Sequence, residues 1–209
     1  ALNARGAELP PRGPLPFVTD ATLRRLDAVL VDPRPPHVIG AGHRAGALND
    51  VGNDAFAVRV GSSVPFGAPI VLLTDDAGQA AKLRDQLAVI GYDDVRGYAQ
   101  PIPDDGAVER VEQIEPRDLA REPDGTLVLD VREAAEWEQG HVPGAVHIPY
   151  GRLRERIGEL PKGRRIVAYC ASGIRSSLAT GLLRAAGHES ANVRGGFPAW
   201  HSAGLPVER

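Results

Sequence analysis

The heptapeptide CASGIRS begins at Cys170, the only cysteine in the chain, and directly follows the apolar run IVAY. A thiol attacks as its thiolate, so a catalytic cysteine needs surroundings that stabilise the anion. The small residues Ala171, Ser172 and Gly173 allow the backbone to curl around the sulfur, where loop N–H groups and the start of a helix form an anion-binding nest. Arg175 can add a positive charge. These features favour Cys170 as a nucleophile on a strand-to-helix loop.

Other interpretations of this stretch stay open. A lone cysteine after an apolar strand is often an inert core residue. The hydroxyl groups of Ser176 and Ser177 could donate hydrogen bonds to the sulfur, or they could cap the following helix. The combination of strand end, small residues, arginine and helix start supports the nucleophile about as well as the inert thiol, so both interpretations stay open at this point.

The composition is that of a globular protein. Apolar residues make up 43% of the chain and charged residues 24%, and no apolar run approaches the roughly 20 residues that cross a bilayer. The net charge of -3, from 24 basic and 27 acidic residues, predicts no binding to nucleic acid or to a membrane surface. The opening residues lack the layout of a secretory signal, and one cysteine cannot form an internal disulfide. We therefore expect a cytoplasmic protein.

Two segments of the chain form an internal repeat. Six residues of the first segment recur in register in the second: Asp32, Arg34, Gly42, His43, Gly46 and Ala47 match Asp130, Arg132, Gly140, His141, Gly144 and Ala145. Further on, both segments read as a buried strand, a loop, an amphipathic helix ended by glycine and a short strand. This alternation predicts βαβ units around a parallel sheet, with reactive loops at the carboxyl ends of the strands.

The repeat sets the predicted domain boundaries. Two segments are rich in proline. We interpret residues 1–16 as a linker or arm and residues 100–107 as a second linker. The first repeat then spans residues 17–99 and the second spans 108–209.

Three motifs of the second repeat resemble the rhodanese (thiosulfate sulfurtransferase-like) family: LDVREAAEWEQGHVPGAVHIP, AYCASGIRS and VRGGFPAW. The resemblance implies an α/β fold, a three-layer α/β/α domain around a central parallel sheet, with Cys170 as the residue that becomes a persulfide. It also implies that backbone amides of the loop hold the reactive sulfur. The residues expected to bind the substrate are Ala171, Ser172, Gly173, Ile174, Arg175 and Ser176.

The first repeat resembles the same family less closely, so two rhodanese-like domains are expected. Thr74 stands at the cysteine position, followed by Asp75 and Asp76. Two carboxylates repel an anionic substrate, and a threonine without a base is a poor nucleophile. We predict that this repeat is catalytically silent and serves as a scaffold, a partner surface or a wall over the active loop.

The remaining motifs have structural interpretations. Asp130 and Arg132 are expected to form a buried ion pair or a helix cap rather than to bind substrate. His141 recurs as His43 in a repeat without a cysteine, which indicates a role in the fold. Trp200 is expected to pack the last helix on the sheet.

We predict a sulfurtransferase that moves sulfane sulfur from thiosulfate or a low-molecular-weight persulfide to a thiophilic acceptor. No cofactor or metal is expected, because the chain has one cysteine and no histidine cluster at ligand spacing. One alternative is a cysteine-dependent phosphatase or arsenate reductase, although a loop of six residues from Cys170 to Arg175 favours a sulfur atom over phosphate. A non-catalytic interaction module is the other alternative.

The first repeat and the proline-rich opening also resemble the tandem rhodanese tail of bacterial proteins that fuse a metallo-β-lactamase-fold persulfide dioxygenase to rhodanese domains. This resemblance implies an upstream metallo-β-lactamase-fold domain that carries the iron ligands. A stand-alone tandem rhodanese is the alternative.

Overall fold

A computed structural model describes residues 13–122 and 125–209. Most of the predicted N-terminal arm, residues 1–12, lies outside the described residues. Within the described ranges, no helix is both long and apolar enough to cross a membrane. The predicted linker, residues 100–107, contains no helix or strand and is followed by the second repeat.

The chain forms two groups of helices and strands, one in each repeat. The first group consists of α1 (Asp20–Leu23), β1 (Val29–Asp32), α2 (Pro36–Ala41), β2 (Leu48–Asn49), α3 (Phe56–Ser63), β3 (Ile70–Leu73), α4 (Ala77–Val89) and β4 (Val95–Ala99). The second consists of β5 (Glu112–Ile114), α5 (Pro116–Leu119), β6 (Leu127–Asp130), α6 (Ala134–Glu138), β7 (Val146–His147), α7 (Tyr150–Arg156), a 3-10 turn (Ile157–Glu159), β8 (Ile166–Tyr169), α8 (Ile174–Ala185), β9 (Ser190–Val193) and α9 (Gly196–Ser202).

The two sheets share one strand order. It is β2-β1-β3-β4 in the first sheet and β7-β6-β8-β9 in the second, and all neighbouring strands are parallel. The second sheet has a fifth strand, β5, beside β9. At the equivalent edge of the first sheet, Phe17 forms a single bridge with Tyr98. The repeat in the sequence is therefore matched by a repeated topology.

Both faces of each sheet are covered, as the rhodanese resemblance implied. Along β3, Ile70 and Leu72 belong to one buried apolar cluster, whereas Val71 and Leu73 belong to another. Successive side chains of a strand point to opposite faces, so these clusters lie on opposite sides of the sheet. The residues of β8 alternate between two clusters in the same way. The expected α/β/α layering is confirmed.

The repeated Asp-x-Arg motif forms a buried ion pair, as expected. The Arg132 guanidinium donates to both carboxylate oxygens of Asp130, at 2.6–3.0 Å, and to the carbonyl oxygen of Gly140 at 2.8 Å. Arg34 makes the same set of bonds to Asp32 and to the carbonyl of Gly42. The motif thus ties the end of a strand to the loop that precedes the next strand.

The two repeated histidines also have matching roles in the fold. Nδ1 of His141 lies 3.3 Å from the carbonyl oxygen of Trp137, four residues earlier, and Nδ1 of His43 lies 3.1 Å from that of Ile39. The backbone of each histidine forms an antiparallel bridge with a later segment of the chain. Trp200 is 5% exposed and packs in a cluster with residues of β8 and β9. The structural interpretations of these residues are confirmed.

The two units meet along α8. Leu178 of α8 belongs to the apolar cluster of the first unit, whereas Ala179 and Leu183 belong to that of the second. A methyl group added at Gly181 would lie 3.1 Å from Leu48 of β2. One helix therefore packs closely against the first sheet's edge strand while it covers its own sheet.

Candidate active site

Cys170 lies at the carboxyl end of β8, where the parallel sheet predicts a reactive loop. Strand β8 has neighbours on both sides, β6 and β9, so the cysteine leaves the sheet from a fixed central position. The residue is fully buried. The exposed tip of the loop is formed by Ser172, and Ala171 is half-buried beside it.

The loop places a backbone donor on the sulfur. Gly173 has φ of +91°, a left-handed conformation that glycine adopts without the steric cost of a Cβ, and its N–H donates to Sγ of Cys170 at 3.1 Å. Helix α8 begins directly afterwards, at Ile174. The first N–H groups of a helix have no intrahelical acceptor and carry partial positive charge, which favours an anion at this end.

The segment after β9 fixes the other side of the loop. The N–H of Phe197 donates to the carbonyl oxygen of Cys170 at 2.7 Å. Gly196, at φ of +60°, approaches the same carbonyl so closely that a Cβ would lie 2.1 Å from its oxygen. The conformation of Cys170 thus depends on Gly196, which the motif VRGGFPAW supplies.

Arg175 is held by a carboxylate from a distant part of the sequence. Its guanidinium donates two hydrogen bonds to Glu136 of α6, at 2.6 and 2.8 Å. This contact holds the pKa of Arg175 above its usual range, and attraction to Cys170 adds to the effect. The bond to Arg175 holds the pKa of Glu136 below its usual range. The positive charge expected beside the sulfur is present, but it is paired.

The two serines after the loop have different partners. The hydroxyl oxygen of Ser176 lies 3.4 Å from Sγ, so this residue contacts the sulfur, but it lies closer, at 2.6 Å, to Oδ1 of Asn192. Ser177 instead donates to Oδ1 of Asn49, in the first repeat, at 2.5 Å. Neither residue is a cap, because Gly173 holds the N-cap position of α8. The sulfur role of Ser177 and the capping role of both serines were wrong.

The equivalent loop of the first repeat holds its own anion. Asp76 is the N-cap of α4, and its carboxylate accepts hydrogen bonds from the N–H groups of Gly78 and Gln79 at 2.7 and 3.1 Å. The Thr74 hydroxyl donates to Gln79 at 2.7 Å. At the start of α4, the N–H groups therefore already have a carboxylate as acceptor. At the start of α8, the Cys170 sulfur lies in this region instead.

Sequence reasoning missed two residues that contact this loop, Glu136 and Asn192. Asn192 of β9 is 1% exposed, and its side chain bonds to Ser176 and to the carbonyl oxygen of Gly173. Its place at the carboxyl end of a strand beside β8 is the one signal that could have identified it. Across the part of the chain that the structure describes, no three His, Cys, Asp or Glu residues are grouped to hold a metal.

A family model for the rhodanese-like domain matches residues 115–203. A sulfurtransferase of Allochromatium vinosum is 42% identical over 82 residues, which cover 39% of this chain and 77% of that protein. A helix-turn-helix transcriptional regulator of Mycobacterium tuberculosis is 39% identical over 90 residues, which cover 42% of this chain and 40% of the regulator.

Among solved structures, a rhodanese-related protein of Thermoplasma volcanium is 33% identical, with a TM-score of 0.45, over 46% of this chain and 97% of that one. A thiosulfate sulfurtransferase of Pseudomonas aeruginosa is 26% identical, with a TM-score of 0.43, over 93% of this chain and 41% of that one.

Proposed function

Because this chain belongs to the rhodanese family, we propose that it is a sulfurtransferase that carries sulfane sulfur on Cys170. The rhodanese-like match at residues 115–203 contains that cysteine and its loop. The proposed donor is thiosulfate or a low-molecular-weight persulfide, and the proposed acceptor is a thiol or another thiophile. A cytoplasmic location and an upstream metallo-β-lactamase-fold domain stay predictions.

The reaction has two displacement steps at sulfur. The Cys170 thiolate attacks the outer sulfur of thiosulfate, a new S–S bond forms, and the old S–S bond breaks as sulfite leaves with the electron pair. A persulfide remains on Cys170. The acceptor thiolate then attacks the outer sulfur of this persulfide, and the Cys170 thiolate is the leaving group. The enzyme returns to its starting state, so the kinetics are ping-pong.

The single observation that carries this proposal is the hydrogen bond from the Gly173 N–H to Sγ of Cys170. An inert core thiol needs no polar partner, whereas a thiolate or persulfide sulfur needs donors aimed at it. Here the donor comes from a left-handed glycine at the start of a helix of 12 residues. Cys170 is fully buried and Ser172 is exposed on its loop, so the proposed approach of the sulfur donor to Sγ is from this side of the loop.

The direct test is the mass of the protein after incubation with thiosulfate. We expect a gain of one sulfur atom, about 32 Da, that cyanide or dithiothreitol removes, together with release of one equivalent of sulfite. A protein that stays unmodified and releases no sulfite would favour the non-catalytic interaction module. Faster hydrolysis of aryl phosphates than sulfur transfer would favour the phosphatase alternative.

The effect of the Arg175 charge on turnover can be tested separately from its ion pair with Glu136. We expect Arg175→Ala to lower kcat/KM for thiosulfate by about 10²-fold, because a lost electrostatic contact to a transition state has a cost of that order. Glu136→Gln is the matched control, since it removes the carboxylate charge and leaves the arginine in place. Activity and melting temperature that fall in parallel in Arg175→Ala would mean that the residue is structural.

A further inference from the structure

The Ser176 hydroxyl lies between two acceptors but has one hydrogen to donate. Its oxygen is 2.6 Å from Oδ1 of Asn192 and 3.4 Å from Sγ of Cys170. All three side chains are buried, so water does not offer the hydroxyl another partner. A distance of 2.6 Å is that of a strong O–H···O bond, which favours donation to Asn192.

The orientation of the Asn192 amide supports this assignment. Nδ2 lies 3.3 Å from the carbonyl oxygen of Gly173 and 2.9 Å from Oε1 of Gln113. A carbonyl oxygen can only accept, so the amide nitrogen must face Gly173 and the amide oxygen must face Ser176. Gln113 is fixed in turn, because its Nε2 lies 3.3 Å from the carbonyl oxygen of Val111.

These bonds form a chain in which every group donates away from the sulfur and toward β5. Gln113 donates to the carbonyl oxygen of Val111, Asn192 donates to the side-chain oxygen of Gln113, and Ser176 donates to the side-chain oxygen of Asn192. The side of Ser176 that faces Cys170 is therefore a lone pair. A lone pair accepts a hydrogen bond from a neutral S–H group and repels a negative sulfur.

We propose that Asn192 is a positioning residue that withholds the Ser176 proton from Cys170 and so favours the neutral thiol in the resting protein. Formation of the thiolate is favoured only when the hydroxyl turns from Asn192 to the sulfur. This inference deepens the proposed function, because it concerns how the same cysteine is activated. Its test requires no sulfur donor. The inference can therefore fail while the proposal of sulfur transfer stands, and sulfur transfer can fail while the inference stands.

The test uses the fact that the chain has a single cysteine. The ultraviolet absorbance of the thiolate is titrated against pH, with Cys170→Ser as the blank. Asn192→Leu frees the Ser176 proton for the sulfur, and we expect the midpoint of the titration to fall by about one pH unit, since a hydrogen bond to a charged group has roughly that strength. In a Ser176→Ala background, the same Asn192→Leu substitution should leave the midpoint unchanged.

Ser176→Ala alone gives a second test that does not depend on the folding of Asn192→Leu. If Ser176 donates to the sulfur in the resting protein, removal of its hydroxyl raises the midpoint, and the proposal is overturned. We expect no rise. Ser177→Ala is the matched control, because it removes a neighbouring buried hydroxyl that is bonded to Asn49. An Asn192→Leu shift that persists without the Ser176 hydroxyl would also overturn the proposal, because it would arise from displacement of the loop.

Discussion

Replacement of Cys170 by serine is expected to abolish sulfur transfer, with a loss of at least about 10³-fold in turnover and no mass gain from thiosulfate. A serine hydroxyl is a much weaker nucleophile than a thiolate, and no base within the site is assigned to activate it. The fold should persist, because the serine oxygen can accept the Gly173 N–H that now bonds to Sγ. We expect a loss of about 1–2 kcal/mol in the free energy of unfolding, since a hydroxyl replaces a buried sulfur among apolar side chains.

The first repeat offers a matched control for this variant. Combining Cys170→Ser with Thr74→Cys gives a chain with one cysteine at the equivalent strand end of the first unit. We expect no persulfide there, because the Asp76 carboxylate already accepts the N–H groups at the start of α4. A double variant that gains sulfur from thiosulfate would show that a strand-end cysteine is sufficient and that the loop described around Cys170 is not required.

Replacement of Gly196 by alanine is expected to remove activity by distortion of the loop rather than by loss of a reacting group. The added Cβ would lie 2.1 Å from the carbonyl oxygen of Cys170 and 2.9 Å from the carbonyl carbon of Ala171. Both are backbone atoms, so relief of the clash must move the loop itself. We expect the free energy of unfolding to fall by about 2–5 kcal/mol, from overpacking together with left-handed backbone strain. Denaturant unfolding and the sulfite-release assay measure the two effects.

Gly204→Ala separates backbone strain from the clash. Gly204 has a similar φ, +71°, but a Cβ there would have no heavy atom within 4 Å. We expect a loss of about 1–2 kcal/mol in the free energy of unfolding and unchanged sulfur transfer. Equal losses of activity in the two variants would mean that Gly196 matters only for stability.

Local sequence patterns predicted most of the fold. The apolar runs before Thr74 and Cys170, the helices that follow them and the repeated Asp-x-Arg and histidine motifs reflect contacts between residues close in the chain, and all are found in the structure. The parallel order of the strands follows from the same alternation. The strand-end loop and the buried ion pair of Asp130 could therefore be predicted from short stretches, whereas the left-handed conformation of Gly173 was not predicted.

The side chains that surround the loop could not be predicted in this way. Glu136 meets Arg175 across 39 residues, and Ser177 meets Asn49 across 128 residues, so neither pair leaves a local pattern. The interpretation of Ser177 as a cap failed because the left-handed Gly173 starts the helix earlier than a serine signal would. Asn192 was missed because a lone asparagine in a buried strand carries no spacing that points to another residue.

Helix α8 links the folding of the two units. Its residues divide between two apolar clusters, and Ser177 adds a hydrogen bond to Asn49. If the first unit were to unfold alone, Leu178 would lose its apolar neighbours, and the hydroxyl of Ser177 would lose its partner. The free energy of opening one unit therefore includes part of the stability of the other, which favours a single cooperative transition over two independent ones. The first unit would then contribute to turnover through the lifetime of the native state.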